Sequence, residues 1–273
     1  MKAHSSARPR SLRGAAAVLV ALSIAGGCAG AGAGKPGKTE LSVFAAASLR
    51  DALAGIETAY EALTPGVTLT IATDSSATMR TQIEQGAPAD VFLSADVTNP
   101  AALADAGLAD GEPIVFARNR LALITPTGNP GAITGAADLA KPGVRIIAAG
   151  DAVPITGYAD QLLADLARLP GYPSDFVAAC AANTVSREEN VRSVVAKVEL
   201  GEGDAAIVYA TDASASRDVA TIDLPASANV DAPYAGVVVR ATASPSEAHA
   251  FLDWLAGPGG AAQLAGFGFL PPP

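Results

Sequence analysis

Residues 41–49 read Leu-Ser-Val-Phe-Ala-Ala-Ala-Ser-Leu, and this stretch decides the fold class. A short β-prone run ends in three alanines and a serine, and an amphipathic helix pattern follows at once. The apolar positions of that pattern are about one or two helical turns apart: Leu49, Leu53, Ile56 and Tyr60. Ser48 is therefore predicted to be the helix N-cap at the carboxyl end of a strand. The first N–H groups of a helix can bind an anion, and small residues let a ligand approach them.

Strand-like and helix-like runs alternate along the rest of the chain. The predicted strands are 41–44, 67–72, 90–94, 121–125, 144–148, 205–209 and 237–240. The predicted helices are 49–63, 77–84, 100–106, 158–169, 191–200 and a last one that starts at a capping box, 244–247, and is interrupted at 257–258. This alternation is typical of α/β architecture with mostly parallel sheets. The sequence contains no internal repeat and no Walker or dinucleotide-binding glycine motif.

Composition limits the class of protein. The chain has 273 residues, which is enough for one large domain or for two lobes of about 110 residues each. Hydrophobic residues make up 50% of the chain and charged residues only 16%, which indicates a globular protein. The net charge of -9 disfavours general nucleic-acid binding, which needs a basic face.

The N-terminus has the layout of a secretory signal. Residues 1–13 hold four basic residues and no acidic one, and an apolar run over 15–25 leads to Gly26-Gly27-Cys28. The apolar run is too short for an ordinary transmembrane helix. We predict a signal peptide over 1–27 and a flexible, glycine-rich tether over 28–39. The last residues before the tether are similar to a bacterial lipobox, so Cys28 is predicted to be lipidated, with plain cleavage as the alternative.

Removal of the signal changes the charge and the cysteine count. Residues 1–27 carry four positive charges and no negative one, so their loss takes the net charge from -9 to about -13. If Cys28 is lipidated, Cys180 is the one free cysteine left, and no disulfide can form within the chain. Cys180 lies among alanines and is predicted to be a small core residue.

Further strand-to-helix joins repeat the pattern of residues 41–49. Ser75 or Ser76 precedes a predicted helix, the small residues of 153–157 precede another, and 188–191 open a third. Tyr209 ends a predicted strand, where ligand crevices form in open α/β sheets. Taken alone, each join is better explained as an ordinary cap or turn. The recurrence of uncharged hydroxyls and free helix N-termini is what indicates an anion site.

Taken together, these segments resemble a known family. The matching segments, in matching order, are 44–49, 75–76 with 82–84, 86–92 with 94–96, 153–154, 190–192, and 207–209 with 212–213. They are similar to the molybdate-binding periplasmic proteins that feed ABC importers. The resemblance covers about residues 40–270, essentially the whole mature chain.

The resemblance implies a two-lobed periplasmic binding protein of type II, with a mixed, mostly parallel sheet in each lobe and two hinge crossings. One lobe would hold 40–120 and 234–273, and the other would hold 121–233. The implied ligand is molybdate, and also tungstate, which has nearly the same size and charge. The implied ligand-binding groups are the hydroxyls of Ser48, Ser76 and Tyr209 and the backbone N–H groups of Ile155 and Val191.

The family also implies the setting in which the chain works. It would be a monomer in the periplasm or at the cell surface, with no cofactor. The lipid predicted on Cys28 from the lipobox-like residues would attach it to the membrane. Its partners would be the oxyanion and the permease of an ABC importer.

Several residues near the implied site depart from the family pattern. Ile155 adds bulk, Thr156 adds a hydroxyl, and Asp74 places a carboxylate beside the serine pair. A receptor for sulfate or phosphate is therefore an alternative, and a phosphate site would need an acceptor such as Asp74. For Arg192 a surface or salt-bridging role is favoured over anion binding.

An enzyme and a structural envelope protein are the other classes to consider. The sequence has no G-x-S-x-G elbow, and its two histidines are His4, in the signal, and His249, predicted to lie on the surface. Neither a hydrolase nor a His/Cys metal site is supported. A structural protein does not account for the repeated anion-type joins, so a binding protein is the best interpretation.

Overall fold

Strands and helices alternate through residues 38–273, the part of the chain that this computed structural model describes. The ten strands within that range are β1 (Thr39–Ala46), β2 (Val67–Asp74), β3 (Val91–Ser94), β4 (Ala109–Asn119), β5 (Leu121–Pro126), β6 (Ile146–Ala149), β7 (Thr184–Glu188), β8 (Ala206–Tyr209), β9 (Val219–Ile222) and β10 (Ala232–Val239). The α-helices are α1 (Arg50–Leu63), α2 (Ser76–Glu84), α3 (Thr98–Asp105), α4 (Pro154–Leu166), α5 (Phe176–Asn183), α6 (Val191–Glu199), α7 (Ala210–Ala215), α8 (Pro245–Ala256) and α9 (Pro258–Ala265). The predicted signal peptide, Cys28 and nearly all of the tether lie outside the described residues.

The strands form three sheets. A five-stranded sheet has the order β2-β1-β3-β10-β4, so its strands come from residues 39–119 and 232–239. A three-stranded sheet, β8-β5-β9, and a two-stranded sheet, β6-β7, use strands between 121 and 222. A bridge between Ile146 and Ala205 connects the two smaller sheets.

The register of β1 brings three chain segments to one edge of the large sheet. Ala46 at the end of β1 lies opposite Asp74 at the end of β2, and Ala45 lies opposite Leu93 near the end of β3. The three strands are parallel, so the residues that follow them meet at their carboxyl ends. This edge is where ligands bind in open α/β sheets.

The α/β class is confirmed, but the sheets are mixed rather than mostly parallel. Among the described strands, β1 pairs parallel with β2 and β3, and β6 pairs parallel with β7. The pairs β3–β10, β10–β4, β5–β8 and β5–β9 are antiparallel. The prediction of mostly parallel sheets was wrong because some antiparallel strands lack the sequence pattern that is typical of a strand. β4 begins with Asp110, Gly111 and Pro113, residues that are depleted in strands, so its first half is typical of a loop.

Helix starts also differ from the predicted ones. α4 begins at Pro154, four residues before the predicted start, because proline at the first position is preorganised for a helix. Ser244 is at the N-cap of α8 as predicted, but its side chain makes no cap hydrogen bond, so the capping box does not form. Pro245 starts that helix instead. The short elements α5, β7, α7 and β9 carry too few periodic residues to be recognised from sequence.

Apolar faces of the helices cover the sheets. Tyr60 of α1 packs against Phe251 of α8 in an edge-on contact with ring centroids 5.0 Å apart. Cys180 of α5 is buried in the core, as predicted, and burial raises the pKa of its thiol to about 12.

Among the described helices, none is long and apolar enough to cross a membrane.

Candidate functional site

Ser48 lies inside a turn and is not a helix cap. The chain leaves β1 through a 3-10 turn, Ala47–Leu49, whose N-cap position is Ala46. The prediction that Ser48 caps the helix was therefore wrong. Small alanine side chains let the turn pack tightly against the sheet, and Ser48 is 8% exposed. Its Oγ lies 2.8 Å from the Oη of Tyr234, so its hydroxyl is not used by its own helix.

The two serines after β2 have different roles. Ser75 is the N-cap of α2, and its Oγ accepts a hydrogen bond from the Thr78 N–H at 3.1 Å. Ser76 is the first residue of α2, and its Oγ accepts from the Ala95 N–H at 3.0 Å. Because Ser76 accepts in that contact, its own proton is available to an acceptor at the sheet edge.

Two more helices begin close to these serines. Asn190 is the N-cap of α6 and its Oδ1 accepts from the Ser193 N–H at 3.1 Å, which makes Val191 the first helical residue. Val153 is the N-cap of α4, so Ile155 is its second helical residue. The N–H groups of Val191 and Ile155 lie in first turns, where no intrahelical carbonyl accepts them.

A small cavity of about 10 Å³ lies where these segments meet. It is lined by Ala46, Ala47, Ser48, Ser75, Ser76, Ala95, Val153, Pro154, Asn190, Val191 and Tyr209. Four of the five predicted binding residues are in this lining. Ile155 is not, and it lines a second, largely apolar cavity of about 90 Å³ beside α4. The described lining of the small cavity contains no charged side chain.

Tyr209 closes the cavity at the end of β8. Its side chain is 1% exposed, and its Oη donates to the Ala95 carbonyl at 3.4 Å. Its ring packs edge-on against Tyr158 and Tyr234, with centroids 6.4 and 5.5 Å away. Burial raises the pKa of Tyr209 well above its ordinary value, so the phenol keeps its proton and remains a donor at neutral pH.

The residues that depart from the family pattern are engaged elsewhere. Asp74 accepts hydrogen bonds from the Ser75 N–H at 2.7 Å and from Nδ2 of Asn190 at 3.1 Å, and it does not line the cavity. Thr156 donates its hydroxyl to the carbonyls of Ala149 and Gly150 at 3.2 and 2.9 Å. Thr156 therefore adds no donor to the cavity, and Asp74 adds no acceptor.

Arg192 has the salt-bridging role that the sequence favoured. Its Nη1 lies 3.0 Å from the Oδ2 of Asp51 and 3.4 Å from the Oδ1 of Asp212. Asp212 is 1% exposed, and its Oδ2 has no hydrogen-bond partner among the described residues. Burial raises the pKa of Asp212 to about 7, and the charge of Arg192 offsets this only in part.

The remaining sequence candidates agree with their simpler interpretations. His249 lies on the surface, with Nε2 3.1 Å from the Oδ2 of Asp110. Residues 38–273 hold no cluster of three or more His, Cys, Asp or Glu side chains suited to a metal ion.

Sequence reasoning missed the residues behind Ser48. Tyr234 contacts Ser48 from 186 positions away, and Asn119 lies next to Tyr234. No local pattern marks either residue, because each contact depends on how β10 and β4 pair in the large sheet.

Comparison with known proteins gives consistent matches. The profile of a family described as bacterial extracellular solute-binding protein matches residues 41–270. The molybdate-binding protein ModA of Mycobacterium tuberculosis is 35% identical over 237 residues, or 86% of each chain.

Solved structures agree with this result. The periplasmic molybdate-binding protein of Azotobacter vinelandii is 25% identical, with a TM-score of 0.72 over 85% of this chain and 100% of its own. The sulfate-binding protein SubI of Mycobacterium tuberculosis is 20% identical, with a TM-score of 0.74 over 85% of this chain and 87% of its own, which shows a common fold alone. These neighbours are type II periplasmic binding proteins, so the predicted α/β fold of this type is confirmed, apart from the sheets that are mixed rather than mostly parallel.

Proposed function

Because this chain belongs to the family of bacterial extracellular solute-binding proteins, we propose that it captures molybdate outside the cytoplasm and delivers it to the permease of an ABC importer. Membership of this family confirms the prediction of a binding protein rather than an enzyme. Such proteins bind their ligand without a cofactor and act outside the cytoplasm.

The observation that carries the proposal is the donor set of the small cavity. Molybdate is a dianion with no proton at neutral pH, so its oxygens only accept hydrogen bonds. The cavity offers hydroxyls from Ser48 and Ser76 and the N-terminus of α6, with no carboxylate in its described lining. The phenol of Tyr209 adds a third hydroxyl when it turns from the Ala95 carbonyl to the anion. Hydrogen bonds to a charged group contribute about 1.5–3 kcal/mol each, and a helix N-terminus adds about 0.3–2 kcal/mol. Several such donors together reach the binding free energy of roughly 8 kcal/mol that corresponds to a Kd of about 1 μM or lower.

The donor set also bears on the other anions. Tungstate and sulfate are dianions that only accept, so the same donors suit them. Hydrogen phosphate carries a proton that needs an acceptor, and Asp74, the carboxylate nearest the serine pair, is already bonded to Ser75 and Asn190. This favours a fully deprotonated oxyanion over phosphate.

The proposal includes two lobes that close over the anion by a hinge motion. We assign 40–120 and 234–273 to one lobe and 121–233 to the other, with crossings near 120 and 233. The large sheet takes its strands from residues 39–119 and 232–239, whereas the smaller sheets take theirs from between 121 and 222, and this supports the division. Several contacts would then join the lobes, among them Asn190 to Asp74 at 3.1 Å, Arg192 to Asp51 at 3.0 Å and Tyr209 to the Ala95 carbonyl at 3.4 Å.

The proposal also covers the attachment of the protein. We propose that the signal peptide ends at residue 27 and that a lipid on Cys28 holds a monomeric receptor at the membrane. A Cys28→Ser variant should then no longer be labelled by radioactive palmitate, and retained label would contradict the lipid anchor.

Calorimetric titration tests the main proposal. The mature protein should bind molybdate, and also tungstate, with a Kd of about 1 μM or lower, as several charge-assisted hydrogen bonds predict. Phosphate should bind at least tenfold more weakly, because its proton meets no carboxylate in the described lining. Sulfate should bind more weakly than molybdate, as the similarity to molybdate-binding proteins implies. Sulfate binding as tight as molybdate binding would overturn the assignment.

A Val191→Pro variant should weaken molybdate binding by about 1.5–3 kcal/mol, or roughly 10- to 150-fold. Val191 is the first residue of α6, where proline fits a helix and removes only the N–H that would bind the anion. Asn190 before it is extended, with φ -156° and ψ 168°, which suits a residue before proline. The matched control is Val191→Ala, which keeps the N–H and should bind nearly as well as wild type. Equal losses in the two variants would show that the side chain matters and not the N–H.

A further inference from the structure

A chain of hydrogen bonds ends at Ser48, and its other members do not line the small cavity. Tyr234 of β10 is completely buried, and its Oη lies 2.8 Å from the Oγ of Ser48. The Nδ2 of Asn119 lies 3.5 Å from the same Oη and donates to the Oγ1 of Thr211 at 2.8 Å. The chain therefore runs from Asn119 through Tyr234 to Ser48.

The direction of the protons in this chain is fixed at Asn119. Its Oδ1 accepts from the Arg120 N–H at 2.9 Å, so its NH₂ group must face Thr211 and Tyr234. Tyr234 then accepts from Asn119, and the single proton of its phenol is left for Ser48. Burial raises the pKa of Tyr234 well above its ordinary value, which keeps that proton in place.

The hydroxyl of Ser48 is consequently held in one orientation, as an acceptor from Tyr234 and a donor to another group. Its Oγ accepts from Tyr234, so its own proton must go to a different acceptor, and Ser48 lines the cavity. A hydrogen bond that is accepted also strengthens the one that is donated, because the two polarise each other.

We propose that Tyr234, oriented by Asn119, is a positioning residue that makes Ser48 an obligatory donor and so selects oxyanions without a proton. This inference rests on the proposed function, since it names what sets the selectivity of the same cavity. Because one of its two lone pairs is engaged by Tyr234 and its own proton points to the anion, Ser48 is a weaker acceptor for the proton of hydrogen phosphate or hydrogen arsenate. Without the phenol of Tyr234, the Oγ of Ser48 is free to accept that proton.

A double-mutant cycle tests the inference on the mature protein. Tyr234→Phe keeps the ring packing and should weaken molybdate binding about tenfold, because Ser48 is no longer oriented. In a Ser48→Ala background the same substitution should change affinity less than about twofold. The matched control is Tyr158→Phe, since Tyr158 packs on Tyr209 but its Oη contacts the Pro233 carbonyl and no cavity serine. The control should leave affinity within about twofold.

The second measurement is selectivity. Tyr234→Phe should lower the ratio of molybdate to arsenate affinity, measured at pH 7, while the control should not. Asn119→Ala provides an independent route, because it should weaken binding in wild type but not in the Tyr234→Phe background.

The outcomes separate the two proposals. Wild-type protein that fails to bind molybdate would overturn the proposed function. If wild type binds molybdate, three results would overturn only the role of Tyr234. The Tyr234→Phe variant could bind molybdate as tightly as wild type, or its loss of affinity could persist in the Ser48→Ala background. The third result is an unchanged ratio of molybdate to arsenate affinity.

Discussion

The Ser48→Ala/Ser76→Ala double variant should weaken molybdate binding by about 3–6 kcal/mol, or roughly two to four orders of magnitude. Both hydroxyls line the same small cavity. Ser76 accepts from the Ala95 N–H, which leaves its proton free for the anion, and the proposed donation from Tyr234 leaves the proton of Ser48 free as well. Each charge-assisted bond contributes about 1.5–3 kcal/mol, and nearby water has little room to replace it. Calorimetric titration of the two single variants and the double variant measures the effect.

Ser75→Ala is the matched control for this pair. Ser75 lines the same cavity, but its Oγ caps α2 by accepting from the Thr78 N–H. Its loss should lower the free energy of unfolding by about 1 kcal/mol and change molybdate affinity little. Ser76 also accepts from the Ala95 N–H, so thermal unfolding of every variant must be compared. An affinity of the double variant equal to that of Ser75→Ala would show that the anion site lies elsewhere.

The second large effect concerns the buried carboxyl of Asp212. Its pKa is raised from 3.8 to about 7 in the folded protein, chiefly because burial disfavours the charged form. Below pH 4 the group is protonated in both the folded and the unfolded chain, and its contribution to stability is fully present. Between pH 4 and pH 7 the unfolded chain loses the proton while the folded chain keeps it. Stability is therefore lost as the pH rises through this range.

The expected size follows from proton linkage. The free energy of unfolding of wild type should fall by about 1.4 kcal/mol per pH unit relative to Asp212→Asn, up to about 4 kcal/mol in total, and level off above pH 7. Urea unfolding from pH 4 to pH 8 measures both curves. The difference between them isolates Asp212 from the other carboxyls. Parallel curves would refute a raised pKa.

A second variant tests the cause of the shift. The negative charge of Asp51 raises the pKa of Asp212, and both carboxylates contact Arg192. Asp51→Asn should therefore lower the pKa of Asp212, so that the fall in stability ends at a lower pH than in wild type. An unchanged end point would mean that the charge of Asp51 does not reach Asp212.

Much of the fold was predictable because its signals are local. Helix α1, with apolar residues on one face from Leu49 to Tyr60, and the parallel strands β1 and β2 follow from periodicity within short windows. The caps at Ser75 and Asn190 follow from short polar side chains at helix starts. The family, and the anion-binding residues that it implies, were recognised from the order of whole sequence segments. Periodicity alone does not give this information.

Other elements were missed because tertiary contacts override local preference. β4 starts with residues that disfavour strands, yet it pairs with β10 in the large sheet. β10 was predicted only at its last residues, although it runs over Ala232–Val239 and is antiparallel to both neighbours.

The sequence by itself determined the family, the α/β class and which segments carry hydroxyls and free helix N-termini. Only the tertiary structure decided what those groups do. It showed that Ser75 caps while Ser76 faces the cavity, that Asp74 is engaged by Asn190, and that Tyr234 contacts Ser48 from 186 residues away. The physical reason is that a hydroxyl donates one proton in one direction, and that direction depends on partners which the chain path brings together rather than on neighbours in sequence.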